Sequence, residues 1–206
     1  MPVVRLGDTG GVSQTLRAVD QPSTWVRAAT WSIGFVVLLW VLEVLDAITR
    51  YRMDDLGISP RTDEGLVGIL LAPLLHAGFG HLEANTLPVL VLGFLVLVSG
   101  IRRGLQATAV IWLVGGVGVW LLAPSGTVHL GASVLVFGWL VYLIVRGVWS
   151  RRAGEIILGM VLFLAYGGLL LGVLPGQPGI SWQGHLFGAV GGALAAYLSG
   201  PEARRR

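Results

Sequence analysis

Six apolar runs constrain this chain more than any other feature of its sequence. Each is close to the ~20 residues with which a helix crosses the hydrocarbon core of a membrane. They predict membrane spans at 25–48, 79–100, 104–122, 130–146, 154–174 and 182–199. Backbone polar groups in lipid must pair within their own segment or in a closed barrel, and runs of this length favour helices. The sequence therefore predicts an all-α polytopic membrane protein.

The overall composition agrees with a membrane protein and narrows the chemistry. Charged residues make up 12% of the chain and hydrophobic residues 54%, whereas soluble domains carry about a quarter charged residues. All 14 basic residues are arginine and they flank the apolar runs. We therefore expect the lipid bilayer as a partner and no nucleic acid. The absence of cysteine excludes disulfides, thiol catalysis and thiolate metal sites.

The arginines also predict how the chain lies across the membrane. Eight of them lie at the ends of spans two, four and six, whereas the loops at 123–130 and 175–181 contain no Arg, Asp or Glu and the loop after span one mixes three Arg with four acidic residues. Because basic loops stay in the cytoplasm, both termini are expected there. The chain then divides into a cytoplasmic tail at 1–24, a membrane domain at 25–200 and a basic cytoplasmic tail at 201–206. We expect a multi-pass protein of a bacterial plasma membrane.

The segment between the first two spans is apolar but too short to cross. Residues 66–75 form a ten-residue apolar stretch that contains Pro73. A stretch of this length is typical of a re-entrant or interfacial segment. We therefore expect a partly embedded loop between the first and second membrane helices.

Polar residues gather at the predicted outer ends of three spans. His81, Ser133 and His185 each lie within about one turn of the start of spans two, four and six. Asn85 follows His81 by four residues, which places both on one helical face. Ionisable side chains are costly in a membrane and mark functional sites by default. We therefore predict one shared site at this depth.

A serine and a histidine side by side indicate nucleophilic catalysis. Neutral imidazole takes the proton that makes a serine hydroxyl nucleophilic near pH 7. Ser133, at a helix N-terminus, also lies beside unpaired backbone N–H groups and the positive end of the helix dipole. Those N–H groups, with donors from His81 and Asn85, are suited to stabilise the oxyanion of a tetrahedral intermediate.

Simpler interpretations of the same residues stay open. A serine in a membrane helix often only packs, and a histidine at a helix end is often interfacial. A metal or proton site at His76, His81 and Asn85 is disfavoured because Glu83, the one further ligand nearby, lies on another helical face. We expect no metal and no cofactor, and His129 to be a loop residue. A small transporter is disfavoured because no inverted repeat links the two halves.

Small residues in the last span predict close helix packing. Gly184, Gly188, Gly192 and Ala196 recur every four residues, which forms a ridge that a neighbouring helix approaches closely. In the fourth span, Phe137 lies one turn below Ser133 on the same face. We expect Phe137 to pack against the imidazole of His185.

Taken in order, these motifs resemble the rhomboid family of intramembrane serine proteases. The matching motifs are His-x4-His-x3-Asn at 76–85, Gly-x-Ser at 131–133 and His-x2-Gly-x3-Gly at 185–192. The resemblance implies a six-helix bundle that cleaves transmembrane protein substrates near their outer ends. It implies Ser133 as nucleophile and His185 as general base. It implies an oxyanion hole of His81, Asn85 and the backbone amides of Ala132 and Ser133, with supporting roles for His76, Gly131, Phe137 and Gly188.

Two positions depart from the family pattern: Gly184, where alanine is commoner, is harmless for close packing, but Val134 matters more. Val134 follows the serine where the family usually has glycine. If its side chain faced the last span, it would separate the serine from the histidine. The alternative function is therefore that of the catalytically silent rhomboid relatives, which bind membrane proteins without cleaving them.

Overall fold

The computed structural model describes residues 22–177 and 179–200, so the two predicted tails lie almost entirely outside the described residues. Regular structure within these ranges is helical, apart from one isolated backbone bridge between Ile58 and His129. The helices are α1 (Thr24–Ile48), α2 (Asp63–Leu71), α3 (Phe79–Val98), α4 (Ile101–Leu122), α5 (Ser133–Ser150), α6 (Ala153–Tyr166) and α7 (Trp182–Ser199). A 3-10 helix, Gly167–Val173, continues α6.

The predicted six-helix bundle is confirmed. Among the described residues, α1, α3, α4, α5 and α6 with its 3-10 extension are long and apolar enough to cross a membrane. The sixth long helix, α7, is as long as α5, at 18 residues, but is less apolar than these five; it packs along α4 and α5. Glycine and alanine replace larger apolar residues on α7, because its inner face touches neighbouring backbones instead of lipid.

Helix α5 forms the centre of the bundle and α6 lies at its edge. When an 18-residue apolar stretch of each helix is compared, 56% of its residues are buried in α5. Only 11% are buried in α6 with its 3-10 extension. Tyr142, Leu140 and Leu143 of α5 are fully enclosed. In contrast, α1 and α6 expose large apolar side chains, with Leu164 at 83% exposure. Such outward apolar faces suit contact with lipid, so this is an integral multi-pass membrane protein.

The glycine ridge brings α7 into backbone contact with α5. A Cβ atom at Gly188 would overlap the carbonyl oxygen of Val134, and one at Gly192 would overlap that of Gly138. Neither position accepts a side chain without moving a helix. Gly188 and Gly192 of the predicted ridge therefore fix how closely the first two turns of α5 approach the middle of α7.

The segment between α1 and α3 contains a helix of its own. Helix α2 has nine residues, with Thr62 as its N-cap, and is too short to span the hydrocarbon core. Buried Pro73 ends it through the 3-10 turn Ala72–Leu74. Two indole N–H groups of α4 hold it: Trp112 donates to Ile69 O at 2.8 Å and Trp120 to Thr62 O at 2.9 Å.

We predict that one methyl group on the ridge destabilises the protein. Gly192→Ala should lower the free energy of unfolding by about 1–3 kcal/mol, because it overpacks the α5–α7 contact. Gly34→Ala is the matched control, since Gly34 is also inside a helix but has nothing within 4 Å of an added Cβ. That variant should be neutral or slightly stabilising. Thermal unfolding in one detergent, followed by circular dichroism, compares the two; equal effects would contradict the packing described.

Candidate active site

Ser133 and His185 meet at the start of two helices. Ser133 is the first residue of α5, and His185 lies in the first turn of α7. The serine Oγ is 3.0 Å from His185 Nε2, and His185 Nδ1 is 2.9 Å from the carbonyl oxygen of Gly172. A carbonyl oxygen only accepts, so Nδ1 carries the proton of the neutral ring. Nε2 is therefore free to accept the hydroxyl proton of Ser133.

The imidazole of His185 is held from two further directions. Phe137 stacks on it with ring centroids 3.9 Å apart and planes 10° apart. A Cβ at Gly172 would lie 2.8 Å from the ring of Phe137 and 3.1 Å from His185 Nδ1. The predicted Phe137 contact is thus present. The contribution of Gly172 was missed, because a backbone carbonyl acceptor leaves no signal in the sequence.

The predicted oxyanion-hole side chains share a cavity with this pair. A cavity of about 760 Å³ is lined by His81, Asn85, Ser133 and His185. The ring of His81 lies against Gly131, where a Cβ would be 2.7 Å from its Cε1 atom. One N–H of the Asn85 amide donates to His81 O at 2.9 Å. Its second N–H remains available, because a primary amide has two donors.

His76 lies behind this cavity and contacts the backbone next to the serine. It is 1% exposed, and its Nε2 accepts from Ala132 N–H at 3.3 Å. Burial and, secondarily, the nearby His81 lower the pKa of His76 to about 3, so the ring is a neutral acceptor. The Ala132 amide, predicted as an oxyanion donor, is thus directed at His76.

The backbone at Ser133 presents a donor of its own. Within the two described ranges, no backbone acceptor pairs with Ser133 N–H, as expected for the first residue of a helix. The Ser133 amide is therefore a backbone donor without a backbone partner, next to the serine side chain. The described residues also contain no group of three or more His, Cys, Asp or Glu suited to a metal ion.

Val134 points away from the Ser133–His185 pair. A Cβ at Gly115 of α4 would overlap Cγ2 of Val134, so the valine side chain occupies the space left by that glycine. The valine carbonyl, not its side chain, contacts Gly188 of α7. The distance of 3.0 Å between Ser133 and His185 is compatible with this valine.

Comparison with known proteins gives consistent matches. The family model for the Rhomboid domain matches residues 63–202. The chain is 46% identical to an uncharacterized protein of Mycobacterium tuberculosis over 96% of this chain and 90% of that one. It is 29% identical to YdcA of Bacillus subtilis, provisionally named a rhomboid protease, over 89% of this chain and 95% of that one. No solved structure matches the chain significantly.

We predict that Val134→Gly leaves the reactivity of Ser133 unchanged and only lowers stability, by about 2–4 kcal/mol, because it removes a buried side chain as well as helix propensity. Gly115→Ala should destabilise the wild-type background strongly but the Val134→Gly background weakly, because the added methyl group then has room. Thermal unfolding of the four proteins and the rate of fluorophosphonate labelling give both readouts. A clear rise in labelling on Val134→Gly would show that the valine holds the helices apart.

Proposed function

Because this chain belongs to the rhomboid family, we propose that it is an intramembrane serine protease that hydrolyses peptide bonds in or near transmembrane segments of other membrane proteins. The proposal rests on one observation. Ser133 Oγ and His185 Nε2 are at hydrogen-bond distance, 3.0 Å, and Gly172 O accepts from the other ring nitrogen. A nucleophile, its base and a group that orients the base are the parts that acyl transfer by serine requires.

The proposed reaction has two steps. In the first, Nε2 of His185 takes the hydroxyl proton while Ser133 Oγ attacks the substrate carbonyl carbon. The imidazolium then donates that proton to the leaving amine, which leaves an acyl group on Ser133. In the second, His185 takes a proton from water while the water oxygen attacks the acyl carbon. The imidazolium then returns that proton to Ser133 Oγ as the bond between the acyl carbon and Oγ breaks. The Gly172 carbonyl, which accepts from Nδ1–H at 2.9 Å, stabilises the transient imidazolium, a task that a carboxylate performs in serine triads.

The developing oxyanion has three proposed donors. They are the unpaired backbone N–H of Ser133, the second amide N–H of Asn85 and the ring of His81, all of which border the same cavity. Donors fixed in place before the reaction act strongly in a medium of low dielectric, because nothing has to reorganise as charge develops. We assign Ala132 N–H a secondary role, since His76 accepts from it in the structure.

Hydrolysis in a membrane needs water and an accessible substrate. The cavity reaches from Ser133 to the polar side chains of Thr127, His129 and Gln177, which suits it to hold water. Its walls also include Pro88 of α3 and Leu171 of the 3-10 extension of α6. We propose that a substrate segment reaches Ser133 between α3 and the end of α6.

We propose that this site faces the outer side of the membrane. Ser133 lies at one end of α5, whereas Arg151 and Arg152 follow the other end. By the positive-inside rule the arginine end is cytoplasmic. The membrane domain then comprises residues 25–200, with cytoplasmic tails at 1–24 and 201–206.

We predict that Ser133→Ala and His185→Ala each abolish cleavage of a single-pass substrate in proteoliposomes. The double variant should be no worse than either single one, because the two residues act as one unit. Ser99→Ala is the matched control: it removes a helix-end hydroxyl that bonds only to Val96 O within the described chain. Appreciable cleavage by folded Ser133→Ala would contradict the proposal. A folded wild type that cleaves nothing would favour the catalytically silent alternative.

We predict partial losses for the oxyanion donors. His81→Ala and Asn85→Ala should each lower kcat by about 10²–10³, the usual cost of one oxyanion donor. The KM should change little, because the interaction forms mainly in the transition state. Steady-state kinetics in proteoliposomes separate the two constants. An unchanged kcat in Asn85→Ala would remove Asn85 from the oxyanion hole.

A further inference from the structure

A second polar contact joins the two segments that carry Ser133 and His185. His129 Nδ1 is 2.7 Å from Ser181 Oγ. His129 precedes Ser133 by four residues, and Ser181 precedes His185 by four residues. The two contacts, His129–Ser181 and Ser133–His185, therefore link the same pair of segments in succession.

The hydrogen bonds around His129 fix the direction of every donor. Thr127 Oγ1 donates to Pro124 O at 2.6 Å, so it accepts from His129 Nε2–H at 2.8 Å. The neutral ring then has no proton on Nδ1, which accepts the hydroxyl proton of Ser181. Ser181 Oγ in turn accepts from Gly184 N–H at 3.2 Å, as the N-cap of α7. Burial lowers the pKa of His129, which favours this neutral form.

His129 is itself anchored on the opposite side. Its N–H donates to Ile58 O at 3.0 Å, and its carbonyl accepts from Ile58 N–H at 2.8 Å. Two residues later, Gly131 N–H donates to Ala72 O at 2.8 Å. The backbone before Ser133 is thus tied to the segment between α1 and α3, and the His129 side chain extends this rigid support to α7.

The His129–Ser181 contact holds the beginning of α7, which the glycine contacts with α5 do not reach. Backbone contact with α5 begins at Gly188 and continues at Gly192. Nearer the N-terminus of α7, a Cβ added at Gly184 would contact Ser181 and Val119 instead of α5. Along the chain, His185 therefore lies between Ser181, which contacts His129, and Gly188, which contacts α5.

We propose that His129 is a positioning residue that orients His185 toward Ser133 by holding the N-cap of α7 through Ser181. The inference rests on the proposed protease function. His129 transfers no proton in the reaction; it restricts the first turn of α7, and with it the distance between Nε2 and Oγ. A displacement of 1 Å between reacting groups costs up to about 10² in rate.

The test compares variants that remove the contact with one that keeps it. His129→Leu and Ser181→Ala should each lower kcat and the rate of fluorophosphonate labelling by about tenfold or more, with KM nearly unchanged. The double variant should have a kcat no lower than that of the less active single variant. His129→Gln should retain most activity, because its amide accepts with Oε1 and donates with Nε2, as the neutral ring does. Ser125→Ala is the matched control, because it removes an outer-loop hydroxyl bonded to Arg61.

A second measurement keeps this inference separate from the proposed function. In the Ser133→Ala background, hydrogen exchange of the amides at 182–186 should quicken on His129→Leu, but not on His129→Gln or Ser125→Ala. Unchanged exchange, or kcat within twofold of wild type in both folded contact variants, would overturn the proposal. If His129→Leu fails to fold, Ser181→Ala tests the contact from its other side. Inactive wild type with quickened exchange would refute the protease function and His129's role in it, but not the structural coupling.

Discussion

The arrangement of this protein depends on the backbone contact between α5 and α7. Inside a bilayer, helices gain little from the hydrophobic effect and associate mainly through close packing and interhelical hydrogen bonds. Gly188 and Gly192 permit that packing, since a Cβ at either would overlap a carbonyl oxygen of α5. Ser133 and His185 lie next to this contact, toward the N-termini of their helices, and Ser133 Oγ is 3.0 Å from His185 Nε2. The small residues of one helix thus set the separation of two polar residues one turn away.

The orientation of His185 comes from the periphery of the bundle. Its Nδ1 faces Gly172 O, which belongs to the 3-10 extension of α6, the least buried of the five candidate spans. Phe137 of the central helix covers the face of the ring. A pair without a carboxylate is therefore oriented by one backbone carbonyl and one aromatic ring. This arrangement avoids a buried charge, which would be costly at this depth.

The sequence predicted the fold and most of the candidate site, because both depend on side-chain chemistry with a regular spacing. The last predicted span, 182–199, coincides with α7, and the second, 79–100, extends only two residues past α3. His81, Asn85, Ser133 and His185 were predicted to share a site, and they line one cavity. Their roles in catalysis stay predictions.

The features that the sequence did not predict depend on backbone groups and on tertiary contacts. Gly172 acts through its carbonyl, and Ala132 N–H is directed at His76 because of the loop geometry before α5. The change from α-helix to 3-10 helix after Tyr166 lies within an unbroken apolar run, so hydropathy does not reveal it. His129 was expected to be only a loop residue, because its partner Ser181 is 52 positions away.

Every step of the proposed reaction depends on Ser133 being an activated nucleophile with His185 as its base. The most direct measurement is peptide mapping by mass spectrometry after the folded wild-type protein reacts with a fluorophosphonate. We expect one phosphonyl group, on Ser133, and none when His185 is replaced by Ala. No adduct on the folded protein, or an adduct on another residue while Ser133 stays unmodified, would contradict it.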